Sequence, residues 1–318
     1  MNLRASAVSV EEPGPAYACP PTSFPLSRQT TCAAGNPQLI DRTALIPNYT
    51  LGAGTEDING IGERVPTVIN FSGISSSKFV GRAMRLPLRL VPRDKAVRIV
   101  QGPLRGNRWI VGSSNHGCWL GSYEAAKQKK ITEFVRPGMV CWDVGANVGF
   151  YTLLFAELVG EAGRVFAFEP VPRNVELLRR HVEMNRYQNV RIFPCALGDF
   201  DGEARFDPGP GTTMGHMAAE GPLKVSCSKA DTLLAAGEVE APDLIKIDVE
   251  GAEGDVLLGA CRALEHRPIV FLATHGETAH RACLNLLAGS GYKISALDDG
   301  SPEGTDEVVA VASSEIEA

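Results

Sequence analysis

Apolar and polar positions divide the chain into two unlike parts. Residues 1–77 are rich in Pro, Gly, Ser and Thr, poor in charge, and hold no sustained period. Short apolar pieces such as residues 65–71 are too small to make a core. This predicts a disordered N-terminal extension, or one left by an early start codon, since Met84 lies near where pattern begins. From residue 78 onward, short apolar runs bounded by turn residues recur. Residues 79–91 are basic and apolar, with Arg82, Arg85 and Arg89 at helical spacing. They read as a solvated helix face, or else as a contact for a membrane surface or an acidic acceptor. Residues 96–100 and 108–112 flank Gly102-Pro103-Leu104-Arg105-Gly106-Asn107, a hairpin signal. Residues 115–124 are a polar and aromatic lead into a helix over 124–134, which Pro137-Gly138 closes. Residues 78–136 are therefore expected to pack a hairpin and helices onto a core domain that runs from 137 to 318.

That domain opens with strand, glycine turn, helix and strand. Residues 140–144 are a short apolar run of the kind buried on both faces of a sheet, and residues 150–158 are apolar nearly all round. Residues 165–168 form the second strand, ending in Glu169-Pro170. A helix is predicted over 172–185, with Val175, Leu178 and Val182 on one face, and a third strand over 190–197. Residues 202–206 and 223–228 are two further strands. Between them, residues 207–221 are rich in Gly, Pro, Thr and Met, carry His216, and read as a mobile lid. A buried strand over 243–248 leads into a helix reaching Leu264, then a strand over 268–273, a helix over 278–287, and strands over 292–297 and 308–312. Only about ten residues join the last two strands, too few for a parallel crossover, so the final strand must run antiparallel. The fold class is α/β, a doubly wound and mostly parallel sheet.

At 318 residues the chain has room for one large domain or two small ones. Its net charge of -6 argues against general nucleic-acid binding. No apolar run reaches the length of a membrane span, and residues 1–18 lack an apolar signal core and carry Glu11 and Glu12. The eight cysteines form no C-x-x-C pair; Cys141, Cys195 and Cys227 lie inside apolar strands. They read as reduced core thiols of a cytoplasmic protein.

The chemistry gathers at strand ends. The turn Asp143-Val144-Gly145-Ala146-Asn147-Val148-Gly149 differs from a dinucleotide fingerprint: its last glycine falls one place early, and an acid stands before the first. Asp143 would repel a pyrophosphate but attract an ammonium. Glu169, at the end of the next strand, can accept hydrogen bonds from both hydroxyls of a ribose. Together they point to S-adenosylmethionine (SAM), which has an ammonium, a ribose and no phosphate. The plainer reading is a helix-capping Asp143 and a solvated Glu169. Leu197-Gly198-Asp199 ends the third strand, where Asp199 could accept the adenine amino group. Asp248, Glu250 and Glu253 crowd the end of a later strand, and helix capping accounts best for Glu253. His275 follows the next strand at the same sheet edge. Asp248 and His275 are the candidate bases, with Glu250 third. No His and carboxylate spacing demands a metal, although Asp248 with Glu250 could hold magnesium.

Asp143-Val-Gly-Ala-Asn-Val-Gly149, Phe168-Glu169-Pro170, Ala196-Leu197-Gly198-Asp199 and Ile247-Asp248-Val249-Glu250-Gly251-Ala-Glu253 occur in that order. In these motifs, roughly residues 115–313 resemble the FkbM family of class I SAM-dependent methyltransferases. The resemblance implies a seven-stranded sheet and methyl transfer, typically to a hydroxyl of a polyketide, sugar or other secondary metabolite. It also implies that Asp143, Gly145, Asn147 and Glu169 contact SAM, with Asp199 near the adenine. The rest of the expected cofactor site is Ala146, Gly149, Pro170, Leu197 and Gly198. The expected partner is a small-molecule or glycan hydroxyl acceptor. Two other classes stay open: an NAD-dependent oxidoreductase, against which the glycine spacing and reversed last strand count, and a non-catalytic SAM-binding scaffold.

Overall fold

The computed structural model describes residues 87–207, 216–217, 221–298 and 300–313. The expected N-terminal extension lies outside them, as does most of the basic stretch 79–91, of which a 3-10 turn at Pro87–Leu90 is described. The hairpin forms as β1 (Ala96–Arg98) and β2 (Arg108–Ile110), paired antiparallel. The lead at 115–124 contains a short helix, α1 (His116–Leu120), closed by Gly121 at φ 77°. Helix α2 (Ala125–Phe134) follows.

The main sheet contains β3 (Val140–Val144), β4 (Arg164–Phe168), β5 (Val190–Phe193), β10 (Leu244–Ile247), β11 (Ile269–Ala273), β12 (Tyr292–Ala296) and β13 (Glu307–Ala312). Its seven strands stand in the order β12-β13-β11-β10-β3-β4-β5. β13 pairs antiparallel with both β11 and β12, and the other pairings are parallel. The reversed final strand is thus as expected, and it slots between two earlier strands. Successive side chains of one strand go to opposite faces. Cys141, Val165, Ala167, Phe271 and Val309 enter one core, with helices α3 (Phe150–Val159) and α4 (Pro172–Asn185), the hairpin and α2. Trp142, Val144, Phe166, Phe168, Val270 and Leu272 enter the other. That second core holds α5 (Ala230–Ala235), α6 (Glu253–Leu258), α7 (Cys261–Glu265) and α8 (Glu277–Gly289). The sheet is doubly wound. The chain leaves β3 in one direction through β4 and β5, then returns to the other side at β10. The strand order therefore reverses between β3 and β10, where ligands of such sheets bind.

Three expected elements are cut differently. The third strand does not run through to Leu197: Pro194 cannot donate to a ladder, and the chain leaves the main sheet there. β6 (Ala196–Leu197) joins β7 (Gly202–Asp207), β8 (His216–Met217) and β9 (Leu223–Ser228) in a separate sheet of order β6-β9-β7-β8. Within the expected lid, His216–Met217 pairs antiparallel with β7; residues 208–215 and 218–220 lie outside the described ones. The helix expected to reach Leu264 breaks into α6 and α7. Gly259 between them lies so close to Gly198 that a Cβ would stand 1.8 Å from its carbonyl oxygen.

Candidate active site

The turn after β3 is shaped by its neighbours. Gly145, Asn147 and Gly149 have φ of 75°, 51° and 94°. The N–H groups of Gly145 and Ala146 both donate to Phe168 O, at 3.1 and 2.9 Å, which ties the turn to the end of β4. A Cβ on Gly145 would stand 1.9 Å from Asp248 O, so glycine alone lets the turn meet the mouth of β10. Against this turn opens a cleft enclosing about 1060 Å³, solvent included. Gly145, Ala146, Asn147, Glu169, Pro170, Leu197, Asp248 and Glu250 all line it. It lies where the strand order reverses.

Glu169 is 4% exposed and braces the turn it faces. Its Oε2 accepts the Asn147 N–H at 2.8 Å; its Oε1 accepts the Val171 N–H at 2.9 Å and Asn174 Nδ2 at 3.2 Å. Burial pushes its pKa up from the usual carboxylate value, despite those bonds and the charge of Lys246. Each carboxylate oxygen accepts two bonds, so capacity remains on Oε2 toward the cleft. Asn147 Oδ1 is buried without a hydrogen-bond partner among the described residues. An orphaned acceptor and a carboxylate with one acceptor position left, both lining the cleft, fit a ligand that brings N–H or O–H donors, as a nucleoside with an amino-acid tail does.

Asp143 does not line the cleft. It is fully buried beneath the turn, where Thr152 Oγ1 donates to its Oδ2 at 2.6 Å and Lys246 Nζ lies 3.2 Å from its Oδ1. The ammonium found beside it belongs to Lys246 of the same chain. Gly149 lies behind the turn against Leu178. Gly198 packs on Gly259, and Asp199 is exposed. Neither is among the residues that line the cleft, although Ala196 and Leu197 just before them are.

Lys246 escaped the sequence reading. It is the one charge in the strand Leu-Ile-Lys-Ile, a position that burial on both faces makes costly for an ammonium. The structure pairs it off: its Nζ donates to Gly145 O at 2.9 Å and stands 3.8 Å from Asp248 Oδ2. Ser114, Cys118 and Tyr123, from the polar and aromatic lead, also line the cleft. Nothing in their spacing marked them, because a loop and a one-turn helix carry them there.

Asp248, Glu250 and His275 do converge; one donor atom from each lies within 4.8 Å of the others. Burial works against the charge of Asp248, but Lys246, Lys127 and His275 outweigh it and hold its pKa below the usual range. His275 Nδ1 contacts Glu253 Oε1 at 2.8 Å, and its Nε2 lies 3.4 Å from Glu250 Oε2. Partial burial opposes its protonation, but the Glu253 bond and the charges of Glu250, Glu253 and Asp248 prevail and raise its pKa. A histidine so raised holds its proton longer as pH rises, which makes it a poorer base than a free imidazole at neutral pH. Glu253 does more than cap a helix: it is fully buried, receives the Gly251 N–H at 2.9 Å and orients His275.

The chain is similar to several characterised methyltransferases. Hexuronic acid methyltransferase AglP of Haloferax volcanii is 30% identical over 151 residues, covering 47% of this chain and 61% of AglP. The chain thus spans about three fifths of that relative's length. The 2-O-methyltransferase NoeI of Sinorhizobium fredii is 28% identical over 178 residues, 48% of this chain and 72% of NoeI. The 31-O-demethyl-FK506 methyltransferase FkbM of Streptomyces tacrolimicus is 29% identical over 208 residues, 54% of this chain and 79% of that protein. The methyltransferase FkbM domain profile matches residues 143–294, from the acid under the glycine turn to β12. Over those residues, just under half of its length, the chain is similar to the FkbM methyltransferase domain.

Proposed function

We propose that this chain is a SAM-dependent O-methyltransferase acting on a hydroxyl of a sugar, polyketide or other secondary metabolite. One observation carries the reading. The cleft at the sheet's reversal point is lined both by the Gly145–Asn147 turn with Glu169 and by Asp248 with Glu250. The turn and Glu169 suit a nucleoside donor, and Asp248 and Glu250 an acceptor hydroxyl. The names of the relatives support the same class of acceptor: a hexuronic acid for AglP, and a 2-O or 31-O position for NoeI and FkbM.

In this reading Glu169 and Asn147 hold the donor, which supplies a methyl group already activated on a sulfonium. The chain's own task is then alignment and exclusion of water. Tyr123, Phe150 and Phe206 give the cleft an aromatic lining suited to that exclusion. Asp248 stays ionised beside Lys246 and presents a negative charge at the mouth, favourable to a cationic donor and able to accept the acceptor's hydroxyl hydrogen bond. The acceptor is taken to be a small molecule or glycan in the cytoplasm and not a nucleic acid, consistent with the net charge of -6. No described helix is long and apolar enough to cross a membrane. Calorimetric titration with SAM and with NAD, followed by transfer of a labelled methyl to a panel of uronic acids, glycosides and macrolides, tests the proposal. SAM binding with labelled product is expected; NAD binding without SAM binding would overturn it, and SAM binding with no transfer to any hydroxyl would leave a binding scaffold.

A further inference from the structure

The cluster at the cleft mouth has more donor atoms than alignment of a hydroxyl requires. We propose that Asp248, Glu250 and His275 form a divalent-cation site of mixed nitrogen and oxygen character, open toward the cleft, where an acceptor hydroxyl oxygen can complete the coordination. The part played by the hydroxyl rests on the methyltransferase reading; the cation site does not.

Three observations carry it. First, the spacing is that of ligands sharing an ion. His275 Nε2 and Glu250 Oε2 are 3.4 Å apart, longer than an N–H to oxygen hydrogen bond prefers. Ligands sharing an ion through bonds of about 2.1 Å stand about 3.0 Å apart at octahedral angles and about 3.4 Å apart at tetrahedral ones. Second, the histidine is oriented as a metal ligand usually is. Its Nδ1 is fixed at 2.8 Å on Glu253, a carboxylate with no exposure, which turns Nε2 toward Glu250 and Asp248. Third, carboxylates outnumber the cations around the cluster, since Lys127, which also acts on Asp248, is held by Glu124 and Glu307. Asp248, Glu250 and Glu253 surround one imidazole, and Glu253 Oε2 is buried without a hydrogen-bond partner among the described residues. Lys246 divides its charge between Asp143 and Asp248, standing nearer to Asp143. A cation on the three donors supplies what the side chains lack. One imidazole nitrogen with two carboxylate oxygens suits a first-row ion such as Mn²⁺ better than Ca²⁺.

The test uses the full chain after chelator treatment, titrated with Mn²⁺ and followed by the electron paramagnetic resonance of the free ion. One saturable site per chain is expected. Glu250→Gln, at a side chain 36% exposed and so safe for folding, should weaken it by about tenfold or more. Glu253→Gln, which touches no donor atom, should weaken it by about 10–100-fold. The bound ion should show nitrogen coupling in pulsed spectra that His275→Gln abolishes. Absence of a saturable site, or a site that Glu250→Gln and His275→Gln both leave intact, would overturn the proposal. SAM titrations of the same chelated protein separate the two readings. SAM binding without a Mn²⁺ site sinks the cation site alone, and a Mn²⁺ site without SAM binding sinks the methyltransferase reading alone.

Discussion

His181 should make the stability of this domain fall as pH drops from about 6.5 to about 4, by roughly 3 kcal/mol. The ring is wholly buried and stacked on Trp109 of the hairpin, with centroids 4.0 Å apart. Its Nδ1 donates to Val148 O at 2.7 Å, and its Nε2 accepts the Ile110 N–H at 3.1 Å. Only the neutral ring with its proton on Nδ1 satisfies both; a second proton would set N–H against N–H. Burial, opposed by the Val148 bond and helped by the charge of Arg180, lowers the pKa from 6.5 to about 4. Across that window the unfolded chain binds the proton and the folded chain does not. The stabilisation is therefore complete above about pH 6.5 and lost as pH falls to about 4; about 2.5 pKa units at 1.36 kcal/mol each give about 3 kcal/mol. Urea unfolding of the wild type and of His181→Gln across pH 4–7 isolates this group, since other titrations cancel in the difference. The gap between the two proteins should close by about 3 kcal/mol toward pH 4. A gap that stays constant with pH would mean that His181 is not held neutral and that the stacked geometry is wrong.

Other changes test the cleft wall. Gly145→Ala places a Cβ 1.9 Å from a backbone oxygen at positive φ, so calorimetry should show SAM affinity falling by at least about 2 kcal/mol, with a lower Tm; an unchanged affinity would free the turn from the site. Glu169→Ala should weaken SAM binding by about 1.5–3 kcal/mol and should also destabilise the fold, because three internal donors lose their acceptor; a variant that binds SAM normally would remove Glu169 from the donor site. Lys246→Met leaves the buried Asp143 without its cation and should cost about 3–5 kcal/mol in urea unfolding. A loss below 1 kcal/mol, on the order of an exposed ion pair, would refute the pairing.

Much of the fold was legible because its signals are local. Apolar runs of strand length, the helix at Pro172–Asn185 and the short link before β13 each follow from a few adjacent residues. The misreadings have nonlocal causes. The third strand is expected to continue because Cys195, Ala196 and Leu197 are apolar, yet Ala196 and Leu197 pair with β9 in a different sheet. The break between α6 and α7 depends on the approach of Gly198, more than 50 residues earlier in the chain.

The same distinction separates what could be read of the site from what could not. Glu169 was legible as a cleft residue because an acid that ends the second strand stands at a fixed remove from the glycine turn within one strand-helix-strand unit. Asp143 was recognised as significant, but the reading assigned its charge to the ligand. The register of two strands gives it a partner within the chain: Lys246 stands directly across from Asp143 in the β10–β3 ladder, about a hundred residues away in sequence. Both are buried, so each ion is tolerable only because of the other. Lys246 also bonds Gly145 O and faces Asp248. It thereby connects the turn that would hold the donor with the acid that would face the acceptor. A lysine in a run of aliphatic residues is the signal that could have revealed this, since a buried ammonium in a strand implies a carboxylate on a neighbouring strand. Asp143 is thus paired with Lys246 beneath the cleft, and through that pair the glycine turn is tied to the mouth of β10.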